Sequence, residues 1–230
     1  MRTPRRALVS LLEAEFILGV RLASRHPVAR SALVWTVGLA AIARAVVGHA
    51  AVDRTAPTTI ALAGLLAAAA APPLFVRGGA LETLRWTRGR ALAACLARLH
   101  GALAIALAGA GGAGVVLGGR QALSLGVLAA ALLHAALVGA LAGALAPRAG
   151  CAFATVSTLL VVAAGAGASE FDAPGSVPPL LTPPGALAVR LLAGSGGHVP
   201  LAGWFVLGIL GVWSVAHHAA PAMGAVRAHG

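Results

Sequence analysis

The sequence predicts an all-α polytopic membrane protein: six transmembrane helices, an N-terminal interfacial amphipathic helix, and a structured outer loop before the last helix. Three observations predict it. Hydrophobic residues make up 59% of the 230-residue chain and charged residues only 10%, with a mean hydropathy of +0.91; a soluble domain of this size needs far more polar surface. The apolar residues fall into runs of about 20, the length that crosses a hydrocarbon core as a helix. The arginines gather in one set of connections, as the positive-inside rule requires. Residues 1–230 form a single transmembrane domain, with no length left for a second, soluble one.

Residues 5–25 are helix-prone but too charged to span. Leu8, Leu11, Leu12, Phe16 and Leu22 recur at roughly helical spacing, with Arg5, Glu13, Arg21 and Arg25 between them. This is the pattern of an amphipathic helix lying among headgroups. Glu13 and Glu15 interrupt what would be the apolar region of a signal peptide, so none is expected. Pro27 ends the helix and turns the chain into the membrane.

Spans are expected at about 31–50, 58–76, 101–119, 122–145, 150–168 and 200–220. Pro72-Pro73 bends or ends the second at the cytoplasmic face. The third is glycine-rich (GAGGAGVVLGG) and the fourth contains Gly139 to Gly143; both offer small-residue packing surfaces. Residues 169–199 hold five prolines and two acids, too long for a turn, and are read as an extracytoplasmic loop with short helices of its own that dips into the outer leaflet.

All 17 basic residues are arginine. With the N-terminus inside, six precede the first span, five lie in 77–100, and Arg148 and Arg227 add two. Only Arg54, Arg120 and Arg190 fall outside, with Arg44 in the membrane. The asymmetry places both termini in the cytoplasm, and the membrane is read as the plasma membrane. The net charge of +11 is therefore assigned to topology and to membrane lipids rather than to nucleic acid. The absence of lysine excludes Schiff-base chemistry and a Walker A phosphate grip. Cys95 and Cys151 have no metal spacing and read as small buried residues.

No acid falls mid-span, which counts against proton- or sodium-coupled transport. Ser195 sits in a GSG context but in the outer loop, Ser124, Ser157 and His134 lack a recognisable nucleophile motif, and neither paired carboxylates nor a metal-ligand set is evident, so no catalytic residue is assigned. His134 reads as a packed, hydrogen-bonded residue, and Arg44 as a side chain that snorkels to the outer interface or bonds a neighbouring helix. The alternative for both is a substrate path.

The stretch RGGALETLRWTRGRALAACLARLH, 77–100, has five arginines (Arg77, Arg85, Arg88, Arg90, Arg98) and one glutamate. It reads as a docking surface for a cytoplasmic partner, or as a solvated basic loop that serves only topology. Arg77 and Arg98 are assigned mainly to topology, and Ala91 to His100 to a basic lead-in to the third span.

With its interfacial helix, six spans, basic helical loop after the second span and proline-rich outer loop, the chain resembles the membrane subunit of the ABC-2 class of ATP-binding-cassette transporters. The residues that carry the resemblance are Gly78, Gly79, Leu81-Glu82-Thr83-Leu84, Thr87 and Arg90, with Pro184 in the outer loop. Arg88 stands where the family commonly has proline. The resemblance implies a permease subunit, itself not an enzyme, that pairs with a second permease subunit and is driven by a separate cytoplasmic ATPase holding ATP and Mg. It implies a coupling helix at about 80–88, with Glu82, Leu84, Arg85, Trp86 and Arg88 at the ATPase. The apolar spans suggest an exported cargo that is hydrophobic or amphipathic. The alternative function is a non-transporting membrane scaffold or assembly protein that recruits a partner through 77–100.

Overall fold

The computed structural model describes residues 4–48, 55–76, 91–170, 206–211 and 213. Among these it is almost entirely helical, with no strand. Helix α1 (Pro4–Arg25) and α2 (Pro27–Val47) are separated only by His26, and Pro27 occupies the first turn of α2. There its fixed φ suits the helix and its missing N–H costs no bond. Helix α3 (Thr55–Ala70) gives way to a 3-10 turn, Pro72–Leu74, where the expected proline pair stops it. Helix α4 (Ala91–Gly118) is continuous, so the expected lead-in and third span are one helix. A 3-10 turn, Gly119–Leu123, leads into Leu125–Glu170.

That last helix is broken at Gly150, whose φ of 84° and ψ of 167° only glycine adopts readily. We number its arms α5 (125–149) and α6 (151–170). Val138 and Val162, equidistant in sequence from Gly150, share one apolar cluster with Ala68. A straight helix would hold them roughly 36 Å apart, so the arms fold back on each other. The expected turn at Pro147 and Arg148 therefore falls at Gly150, with Pro147 inside the helix. By length and composition four helices can cross a membrane: Pro27–Val46, Thr55–Leu74, Ala91–Gly118 and Leu125–Ala163, the last comprising both arms. A helical segment at 206–211, within the expected sixth span, packs on α5 through Gly208 and Gly211. The outer loop 169–199 lies, beyond the end of α6, outside the described residues.

Size, rather than polarity, sorts the residues. The core is largely alanine: Ala63, Ala67, Ala70, Ala94, Ala102, Ala106 and Ala135 are all buried. Many large apolar side chains instead face outward, among them Trp35, Ile42, Phe153 and Leu160. Water would drive such residues inward. In a bilayer the outside is as apolar as the inside, and small residues let backbones approach. The chain is a membrane-embedded helical protein.

Helix α4 sits at the centre, against α1, α2 and α3, while α3 packs mainly on the α5–α6 pair. Helix α2 is peripheral. Only 17% of its apolar window is buried, against 67% for α3 and 56% for α4.

Candidate functional site

Residues 77–90, which include Glu82, Leu84, Arg85, Trp86 and Arg88, lie outside the described residues. What the structure describes is the helix that follows, α4 from Ala91, and α1 packed against it.

Helix α1 exists as expected, but its packing face differs. The expected apolar stripe is only partly covered, and Phe16 is exposed. The buried residues are Glu15, Gly19 and Ala23, one stripe at i, i+4 and i+8. They meet α4 at a crossing so close that a Cβ on Gly19 would fall on the Arg98 carbonyl oxygen. A Cβ on Gly101 would strike the Phe16 carbonyl oxygen and lie 2.8 Å from the Val20 nitrogen. Two glycines, one on each helix, thus bring two backbones into contact.

Beside this crossing Arg98, assigned from sequence to topology, is fully buried, and Glu15 is 7% exposed. Arg98 Nε donates to Glu15 Oε2 at 2.8 Å and Nη2 donates to the same oxygen at 2.5 Å. A buried guanidinium without an acid would cost several kcal/mol, and the pair with Glu15 offsets part of that cost. Leaving one partner alone costs about 3–5 kcal/mol. The correction for Arg98 is therefore physical: a charge eight residues into α4 is tolerated inside because α1 supplies the counter-charge. Spacing gave no signal for this contact, because its partners lie 83 positions apart. A lone acid on the face of α1 opposed by glycine was the available hint.

The other two sequence candidates are not brought together by any described contact. Arg44 Nη1 donates to the Gly48 carbonyl at 3.2 Å, capping the end of its own helix. This is an outward-reaching geometry, distinct from a contact to a neighbouring helix. His134 is 1% exposed, and its Nδ1 lies 2.9 Å from the Ile60 carbonyl on α3. A carbonyl only accepts, so Nδ1 carries the hydrogen and Nε2 holds the lone pair. Nε2 is buried without a partner. The ring occupies the space that a side chain at Gly64 would take. His134 is thus the packed, hydrogen-bonded residue expected, a polar tie between α3 and α5. Cys95 is buried as expected, whereas Cys151 is only half-buried. Among the described residues no cluster of potential metal ligands occurs.

No protein-family model, curated protein or solved structure matches the chain.

Proposed function

We propose that the chain is the membrane-spanning permease subunit of an ATP-binding-cassette transporter, an exporter of hydrophobic or amphipathic cargo driven by a separate ATPase. In this reading both termini are cytoplasmic, the membrane is the plasma membrane, a second permease subunit completes the path, and 80–88 is the coupling helix. The observation that carries the reading is the continuity of α4. The helix is described from Ala91, within the arginine-rich stretch, and runs unbroken from there into the centre of the bundle. Within three turns it is fixed to α1 by the Glu15–Arg98 pair and the glycine crossing. A displacement passed into α4 by a partner on 80–88 would move α4 and α1 together.

In this mechanism Glu82 pairs with a basic group of the ATPase, Arg85 and Arg88 pair with its acids, and Leu84 and Trp86 supply the apolar anchor. The test is copurification of the ATPase with the full chain and with the Leu84→Asp and Trp86→Asp variants. The expected result is loss of the ATPase from both variants while the membrane chain remains folded. Undiminished association removes the docking role. Stimulation of the copurified ATPase by apolar cargo supports the transporter; association without ATPase activity supports the scaffold.

A further inference from the structure

Helix α2 carries a groove of about 400 Å³ at its first two turns, lined by Pro27, Arg30, Ser31, Val34 and Trp35. These positions form a single stripe at helical spacing. Its two ends differ. Arg30 and Ser31 are exposed and polar, and no acid among the described residues pairs with Arg30. One turn deeper, Val34 is 71% and Trp35 66% exposed. The stripe continues through Leu39, Ile42 and Val46, all exposed, and nothing lies within 4 Å of the Cβ position at Gly38. The result is a cationic head on an open apolar track with a notch in it.

We infer that this groove is a binding site for one anionic phospholipid, with the phosphodiester on Arg30 and Ser31 and an acyl chain along Val34, Trp35 and Gly38. Three features fix the occupant. The positive end asks for an anion, and the track asks for a hydrocarbon chain continuous with it. Trp35 follows about one turn after Arg30 and Ser31 and offers the start of that chain a broad exposed apolar face. A second copy of the chain related by a two-fold axis fits worse, because it would bring Arg30 towards its own counterpart without an intervening acid. Free phosphate would satisfy the head and leave the track unused. The inference rests on the membrane reading alone and stands whether or not the chain is a transporter.

The test is native mass spectrometry of the full-length protein in detergent, titrated with phosphatidylglycerol or with phosphatidylcholine of the same acyl chains. The wild type is expected to retain one phosphatidylglycerol that Arg30→Gln loses, with about tenfold weaker binding in the variant. Trp35→Ala is expected to weaken the same lipid, and Arg30→Lys to keep most of it, because charge is what the phosphate needs. These positions are exposed, so the variants retain the wild-type helical signal and elution profile. Equal retention by wild type and Arg30→Gln overturns the site, as does equal affinity for phosphatidylcholine. Displacement of the lipid by inorganic phosphate, with Trp35→Ala without effect, would make it a phosphate site and overturn the lipid assignment. Cysteine cross-linking between copies at Leu39 that excludes the lipid would overturn it in favour of a second copy.

Discussion

Helices α4 and α2 are both apolar and both carry an arginine in their first turns, yet the two arginines meet opposite fates. Arg98 is fully buried and held by Glu15. Arg30 is exposed and has no acid among the described residues. What separates them is the neighbouring backbone. Gly19 and Gly101 let α1 come close enough to α4 to exclude solvent from Arg98 and to supply its counter-charge. Nothing comparable among the described residues covers α2, so its charge and its large apolar residues stay outside. Burial of a charge here follows from small residues on the opposite helix, and not from the hydropathy of the helix that carries it.

The comparison can be broken at several points. The largest effect is expected from Gly19→Leu or Gly101→Leu, because the obstructing atoms are backbone and cannot move aside. Either variant should fail to elute as monodisperse protein in detergent. Next come the charges themselves: Glu15→Ala and Arg98→Ala should each destabilise the protein by about 3–5 kcal/mol, because each breaks the buried pair. Arg30→Gln should change stability by less than about 0.5 kcal/mol. Thermal unfolding of the two arginine variants side by side checks the contrast. His134→Leu removes one buried hydrogen bond between α3 and α5 and should cost about 1 kcal/mol by the same measurement.

The smallest expected effect is one of pH. Burial pushes the His26 imidazole, at the α1–α2 junction, below its ordinary 6.5, and its Nδ1 is buried without a partner. The folded chain then binds this proton less readily than the unfolded chain. Stability is full above pH 6.5, falls as pH drops below that value, and levels off below the folded pKa. A modest fall in melting temperature between neutral and mildly acidic buffer is expected in the wild type, and a flatter profile in His26→Gln.

Much of the fold was legible because membrane helices announce themselves by length and hydropathy. The proline-marked boundaries at Pro27 and Pro72-Pro73 fell where proline chemistry puts them. Pro147 and Arg148 carry the turn signal in sequence, whereas the positive φ that breaks α5 from α6 belongs to Gly150. The face of α1 was misjudged for a deeper reason. An apolar-moment reading assumes that large apolar residues are buried, whereas in this bundle small ones are, and Glu15 enters with them. The Glu15–Arg98 contact was illegible because nothing local pairs two residues on distant helices. His134 was legible as a packed residue, but its partner, the Ile60 carbonyl, was not, since a backbone acceptor leaves no trace in sequence. The docking residues 82–88 rest on sequence reasoning alone.

The central structural claim is that α1 and α4 move as one unit because Glu15 and Arg98 hold them together. The most direct measurement is a charge-exchange cycle on the full-length protein, read as melting temperature in detergent: Glu15→Arg, Arg98→Glu, and the two combined. Each single variant should lose most of the folded signal, with two like charges buried at the crossing, and the combined variant should recover a substantial part of it. Single variants that melt like the wild type, or a combined variant no better than the worse single one, would contradict the clamp.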